Sequence, residues 1–305
     1  MAVTQSRLIF VTGKGGVGKT TVAAALGQDS ALRKRRTLIV ETAADGRLEH
    51  LFPNRRRAGA RHHLGPRLDS VRLDPRELVE EYFSGLLRFS FLSKRLFASS
   101  TFNALTAAAP GITEFLLLEK ILGWCDTRRG RERYDVVIVD GPATGHAIKL
   151  LRTPRNLVSM VRSGPLGSTA TRLLDLFADP ARTSVVIVSL PEEMSVRETV
   201  ETYDIVGGQL EMHVARPVVN RIFPKRFTRA DIARIEAEPE LNESPAGMAA
   251  RFAAQCRREA ERHVGYLRRH IGVSPILLRH LFQPEIFADD LRAVGRSLGR
   301  VMLAD

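Results

Sequence analysis

Residues 13–20 read Gly-Lys-Gly-Gly-Val-Gly-Lys-Thr, and no other stretch limits the possible folds so strongly. The octet fits the pattern G-x-x-x-x-G-K-[ST]. It follows Arg7–Thr12 (RLIFVT), an apolar run too short for a helix and read as a buried strand. Behind it comes Thr20–Leu32, alanine-rich and helical in pattern. Strand, glycine loop and helix in this order gather backbone N–H groups around an anion. Glycine lets those groups turn inward with no Cβ in the way, and the helix adds its positive end. Gly13, Gly15, Gly16, Val17 and Gly18 are therefore candidates for cradling phosphate. Lys19 is placed to reach the β- and γ-phosphates, and the Thr20 hydroxyl to ligate Mg²⁺.

Further apolar runs occur at Thr37–Glu41 (TLIVE), Tyr134–Asp140 (YDVVIVD), Ser184–Leu190 (SVVIVSL) and Pro217–Asn220, with a last apolar stretch at Pro275–Phe282. Continuously apolar strands separated by helical segments imply a parallel sheet covered on both faces. The expected class is α/β: a phosphate-loop NTPase fold, with a mostly parallel central sheet flanked by helices. A chain of 305 residues can hold one large α/β domain or two smaller ones. With no internal repeat, low-complexity tract or second phosphate loop, a single domain over 1–305 is expected, carrying one half of any two-fold ATPase. Between Leu51 and Arg133 the pattern changes. A basic, Gly/Pro-containing loop (Asn54–Arg67) leads to a strand-like piece, LDSVRLD, and then to helices through Tyr82–Ala98 and Thr113–Trp124. This reads as a helical subdomain inserted at about 76–127. Further helical segments are expected at 155–180 and 228–265.

Asp140 ends an apolar strand and opens Asp140-Gly141-Pro142-Ala143-Thr144-Gly145-His146. A carboxylate at such a strand end can hold Mg²⁺ directly or through water. The two glycines and the proline make a loop able to rearrange around a γ-phosphate. The net charge is +12, and only seven of the 46 basic residues are lysines. Such a surface attracts nucleic acid, anionic lipid or an acidic partner without saying which. Two cysteines, Cys125 and Cys256, exclude a disulfide framework and an all-cysteine zinc site within one chain. No window approaches the ~18 apolar residues of a membrane span. The start, MAVTQSRLIF, lacks a charged segment followed by a long apolar run, which points to the cytoplasm.

Lys14, immediately before Gly-Gly-Val-Gly-Lys-Thr, gives the deviant loop KGGVGKT. This form resembles that of the signal-recognition, Min-type, partition and arsenite-pump ATPases. The stretch VIVDGPATGHAIKLLRTP narrows the resemblance to the arsenite-pump (ArsA) and tail-anchored-protein-targeting ATPase family, whose segment usually reads D-T-A-P-T-G-H-T. Ala109–Glu114 resembles that family's P-G-I-D-E helix start. Leu190-Pro191-Glu192 with Glu198-Thr199 resembles its I-P-E…E-T segment, and Val218–Arg221 its V-V-N strand end. The matches run in the family's order from residue 8 to about 223. The resemblance implies ATP and Mg²⁺ as cofactors, bound at the interface of a homo- or heterodimer with a related ATPase subunit. It implies that Lys14 crosses that interface to the partner's nucleotide, by the logic of an arginine finger, and that Asn220 reads adenine. Thr21 beside the loop and Pro191 complete the nucleotide-binding set.

The sequence also departs from the family. The usual switch I segment is T-D-P-A-H-x-L-x-D, whose last Asp positions the attacking water. Here Glu41–Phe52 aligns Thr42, Leu48 and Phe52 but puts His50 at that Asp, leaving Asp45 and Glu49 as nearby carboxylates. Slow hydrolysis by the chain alone is the expectation. No Cys-x-x-Cys is present, so the zinc bridge of the targeting members is not expected, and buried structural roles suit both thiols. His280 or Leu281 stands where the family has an adenine-flanking proline.

Three functions compete. In the first, an ArsA-like ATPase couples ATP binding and hydrolysis to closure of a client-binding helical subdomain. The dense run Leu86, Leu87, Phe89, Phe91, Leu92, Leu96, Phe97 and Phe102 is either a groove for an apolar client helix or membrane protein, or packing within that subdomain. In the second, a partition- or Min-like ATPase acts on DNA or a membrane surface. It would use Arg55, Arg56, Arg57, Arg61 and Arg67 as a phosphate-contacting patch and Asp289–Leu303 as a membrane helix, unless that helix packs on the sheet. The third is a nucleotide-binding regulatory subunit with little hydrolysis. The Asp140–His146 segment favours the first, with nucleic acid not the expected partner.

Overall fold

The computed structural model describes residues 7–42, 48–52, 55–58, 61–86, 111–125, 134–161, 164–283 and 285–302. In chain order the strands are β1 (Leu8–Gly13), β2 (Thr37–Glu41), β3 (Arg56–Ala58), β4 (Arg61–Gly65), β5 (Leu68–Arg72), β6 (Val136–Asp140), β7 (Thr183–Ser189), β8 (Val218–Ile222) and β9 (Ile276–Arg279). The helices are α1 (Lys19–Leu32), α2 (Leu48–Leu51), α3 (Pro75–Leu86), α4 (Ile112–Cys125), α5 (Thr144–Met160) and α6 (Gly164–Ala178). They continue with α7 (Glu193–Asp204), α8 (Arg229–Ala237), α9 (Pro239–Glu243), α10 (Pro245–Ile271) and α11 (Ala288–Met302), and a π turn, Ile205–Gln209, extends α7.

The strands form one nine-stranded sheet in the order β3-β4-β5-β2-β6-β1-β7-β8-β9. All neighbours from β5 to β9 run parallel, and β3 and β4 add an antiparallel edge. The expected mostly parallel sheet with helices on both faces is therefore what is found. Alternation along the strands divides the core. Leu8, Phe10, Leu38, Val40, Val137 and Val139 face α3, α4, α5 and α6. Ile9, Val11, Ile39, Val136, Ile138 and Val186 face α1 and α11. Strands that bury both faces must read as unbroken apolar runs, which is why they were visible in the sequence.

Two expectations need correction. Asn54–Arg67 is not simply a loop, because β3 and β4 lie within it. Their pairing is held from outside: Asp69 on β5 takes the His63 ring nitrogen and, at 2.8 Å, the Tyr134 hydroxyl. Arg61 lies over the Tyr134 ring, and Arg55 pairs with Glu49 at 2.8 Å, so both are engaged within the fold. LDSVRLD contributes β5, a parallel neighbour of β2 in the main sheet.

The helices expected over 155–180 and 228–265 correspond to the second half of α5 with α6, and to α8, α9 and α10. In the inserted region α3 begins at Pro75, seven residues earlier than expected, and α4 matches closely. The run Leu87–Phe102 lies outside the described residues, as does Asp45. Helix α11 packs on α1 through Leu291, Val294 and Leu298, with Gly295 close to the Ala25 carbonyl. Its apolar side is thus used within the fold. Among the described residues, no helix is long and apolar enough to cross a membrane.

Candidate active site

The C-terminal ends of β1, β6 and β8 bring the candidate residues together. After β1 the chain must turn sharply into α1. Gly13 makes this possible with φ of +148°, since a Cβ there would lie 2.0 Å from the Val188 carbonyl oxygen on β7. The loop closes with Gly18 at φ +96°, which N-caps α1 in a left-handed conformation. Such a conformation costs most side chains ~1–2 kcal/mol. Val17, buried between these glycines, anchors the loop to the core on the α1 face.

Lys19 folds back across the loop. Its Nζ donates to the carbonyls of Gly13 at 3.1 Å and Lys14 at 3.0 Å. The Thr20 hydroxyl donates to Asp140 Oδ2 at 2.7 Å, joining residues 120 apart in sequence. Asp140 is buried, and its backbone carbonyl takes both the N–H and the hydroxyl of Thr42, at 3.3 and 2.8 Å. The Thr12 hydroxyl donates to the Pro142 carbonyl at 3.1 Å and so holds the start of the next loop. At the far end of that loop the Thr144 hydroxyl donates to the Glu198 carboxylate on α7. From β8, the Asn220 amide donates to the Val17 carbonyl at 3.0 Å.

The other candidates are more dispersed. Lys14 and Thr21 are half-buried, Gly15 and Gly16 are exposed, and Pro191 is half-buried just beyond β7. His50 is exposed on α2 and is not among the residues these contacts join. Its neighbour Glu49 is held by Arg55 at 2.8 Å and Arg72 at 3.1 Å. Cys125 is buried and Cys256 half-buried.

Glu41, the last residue of β2, was not singled out by the sequence reading. It is 4% exposed and pairs in register with Asp140 on β6 and with Arg72 on β5. Burial pushes its carboxyl above the ordinary range. Arg72 and the Leu48 N–H pull it down, while Asp140 and Glu49 add to the rise. A charged residue at the inward-facing end of an apolar strand, TLIVE, was the available signal.

Thr20 and Asp140 offer a hydroxyl and a carboxylate in contact, hard oxygen donors of the kind Mg²⁺ takes alongside substrate phosphates and water. The donor set fits that ion. Loop, lysine and helix N-terminus together suit a polyphosphate.

Comparison with known proteins agrees with this geometry. The family described as anion-transporting ATPase matches residues 6–164, just over half of the chain and the part that includes the loop, Glu41 and Asp140. The chain is 27% identical to the ATPase BagA of Mycobacterium tuberculosis over 251 residues, covering 79% of this chain and 73% of that protein. It is 28% identical to ATPase GET3 of Komagataella phaffii over 226 residues, 63% of this chain and 66% of that one. Identity to the arsenical pump-driving ATPase of Acidiphilium multivorum is 25% over 240 residues, 73% of this chain and 40% of that protein. By the family match over residues 6–164, with the phosphate loop and Asp140 inside it, the chain belongs to the anion-transporting (ArsA) ATPase family.

Proposed function

We propose that the chain binds ATP with Mg²⁺ at residues 13–21 and hydrolyses it slowly, as one subunit of a dimer that closes around the nucleotide. The observation that carries this reading is the Thr20–Asp140 hydrogen bond, which sets a hydroxyl and a carboxylate beside the loop. When bound there, Mg²⁺ would neutralise phosphate charge; Thr20 and Asp140 are the residues to hold it. The loop N–H groups and Lys19 would bind the β- and γ-phosphates. Asn220, tied to Val17, would meet the base at the opposite side of the loop. The half-buried Lys14 would act on the nucleotide of the partner subunit.

Coupling to a client follows from the connections around Asp140. A change at the γ-phosphate would reach Thr42 and α2 on one side, and α5 and α7 through Thr144 and Glu198 on the other. Helix α5 packs against α4, so the motion would pass to the region 76–127, proposed here as the client-facing subdomain of a single domain. An apolar client helix or membrane protein, handled from the cytoplasm, suits that role better than nucleic acid: Arg55 and Arg61, in the basic stretch, are already engaged. The slow rate follows from His50, since an imidazole side chain carries no negative charge that would polarise a water.

The test measures phosphate release and sedimentation of the full chain, with and without ATP–Mg²⁺. The reading expects ATP-dependent association and slow turnover that Asp140→Asn abolishes. Turnover untouched by Asp140→Asn would contradict it.

A further inference from the structure

Residues 224–229, which lead from β8 into α8, face the middle of α10 across a cleft of about 330 Å³. Part of its wall is apolar and small: the buried Ile232 and the half-buried Ala253 and Ala254. The rest is cationic, supplied by Lys225, Arg226, Arg229, Arg257 and Arg258. Among the described residues one carboxylate, Glu261, lines the cleft, and Arg257 holds it at 2.8 Å. A second cleft of about 540 Å³ shares Arg229, Arg258 and Glu261 with the first and adds Arg262. Its other carboxylate, Glu259, takes the Gln255 amide at 3.2 Å. Neither cleft shares a residue with the loop at 13–20 or with Asp140–Thr144.

A solvated helix face gains from opposite charges four residues apart, as Arg257 and Glu261 are. Arg258 and Arg262 have the same spacing with like charge, which weakens a helix. Arg229 takes the first position of α8, where the helix dipole disfavours a cation. Among the described residues, the side chains of Lys225, Arg229, Arg258 and Arg262 hold no ion pair. The walls themselves are tied down: Arg257 donates to the Phe223 carbonyl at 3.1 Å, and Arg226 lies 5.8 Å over the Phe282 ring. Guanidinium forks match phosphate oxygens two at a time, and the alanines leave room for such a group. We propose that the cleft between α8 and α10 is a second anion site, for a phosphate group carrying more than one negative charge. Arg229 and Arg258, common to both clefts, would hold it, with Lys225 and Arg262 at the edges. This site is separate from the phosphate loop and does not rest on the reading of that loop.

The test titrates inorganic pyrophosphate by calorimetry into the full chain saturated with ADP, in EDTA and low salt. Three variants accompany the wild type. Arg229→Gln with Arg258→Gln removes the two shared cations from exposed positions. Ala254→Leu fills the cleft and leaves the charge as it is. Lys19→Ala disables the phosphate loop. Wild type and Lys19→Ala are expected to bind pyrophosphate alike, while the double arginine variant and Ala254→Leu each lose at least ~10-fold in affinity. Thermal midpoints are measured throughout, and if Ala254→Leu lowers its own, the arginine variant decides. Absence of binding to the ADP-saturated wild type overturns the proposal, as does full binding by the arginine variant. Full binding by a stable Ala254→Leu overturns it too, because diffuse charge would then suffice. Loss in Lys19→Ala would assign the signal to the phosphate loop and overturn it likewise. Cosedimentation with phosphatidic acid vesicles, against phosphatidylcholine vesicles, separates the sources of the phosphate. Capture that pyrophosphate competes and the arginine variant loses assigns the site to a lipid headgroup. Pyrophosphate binding without capture assigns it to a free solute.

Discussion

The Asn220 amide donates to the Val17 carbonyl at 3.0 Å, and the same nitrogen lies 2.4 Å from where a Cβ on Gly18 would be. A strand more than 200 residues away in sequence thus closes over the phosphate loop at a position that a side chain cannot occupy. Gly18→Ala must move Asn220 and strain a backbone at φ +96°. We predict a loss of ~1–2 kcal/mol in folding stability by denaturant melt, together with weaker nucleotide binding. Unchanged values for both would show that the loop relaxes freely.

Lys14 and Lys19 should separate on mutation. Lys19 uses the Lys14 carbonyl, a backbone atom that alanine keeps. Lys14→Ala should therefore leave nucleotide affinity in dilute, monomeric protein close to wild type while weakening ATP-dependent association in sedimentation. Loss of monomer affinity would place the side chain in its own subunit's site.

Hydrolysis by the chain alone should fall below ~1 s⁻¹, the low end of ordinary turnover. Glu49 is occupied by Arg55 and Arg72, so a carboxylate at position 50 is the simplest repair. His50→Asp should raise steady-state phosphate release. Turnover at or above ~1 s⁻¹ in the wild type would assign the water to another residue.

The burial of Glu41 has a sign that can be checked. Its folded-state pKa is raised, so the folded protein holds the proton more tightly than the unfolded chain. Stability from this group is fully present below its ordinary value of 4.5 and is lost as pH rises through the raised one. Glu41→Gln, resembling the protonated form, should therefore raise the thermal midpoint of nucleotide-free and metal-free protein at pH 8. The gain should vanish at acidic pH. A lower midpoint at pH 8 would contradict the assignment.

What could be read from the sequence follows the physics of each element. β1, β2, β6 and β7 bury both faces, and their apolar runs leave little freedom in assignment. The loop at 13–20 is local, and Gly13, Gly16 and Gly18 each adopt a positive φ that favours glycine. β3 and β4 were not legible: RRRAGARHHLG has no apolar alternation, and its pairing depends on Asp69 and Tyr134, outside the segment. Glu41 escaped because a charge at a strand end is ordinarily solvated. Only the register between β2 and β6 shows that this one is enclosed beside Asp140. The Thr144–Glu198 contact joins two segments the family resemblance had singled out separately, and no sequence pattern states that they touch.

The central claim is that residues 13–20 bind the triphosphate, and calorimetric titration of ATP–Mg²⁺ into wild type and Lys19→Ala tests it most directly. Lys19 reaches the Gly13 and Lys14 carbonyls, so its ammonium lies over the loop where phosphate charge would gather. A charge-assisted hydrogen bond is worth ~1.5–3 kcal/mol, and ~1.4 kcal/mol is tenfold in affinity. The account predicts at least a ~10-fold loss of ATP affinity in Lys19→Ala with the fold intact. Equal affinity in the two proteins would contradict it.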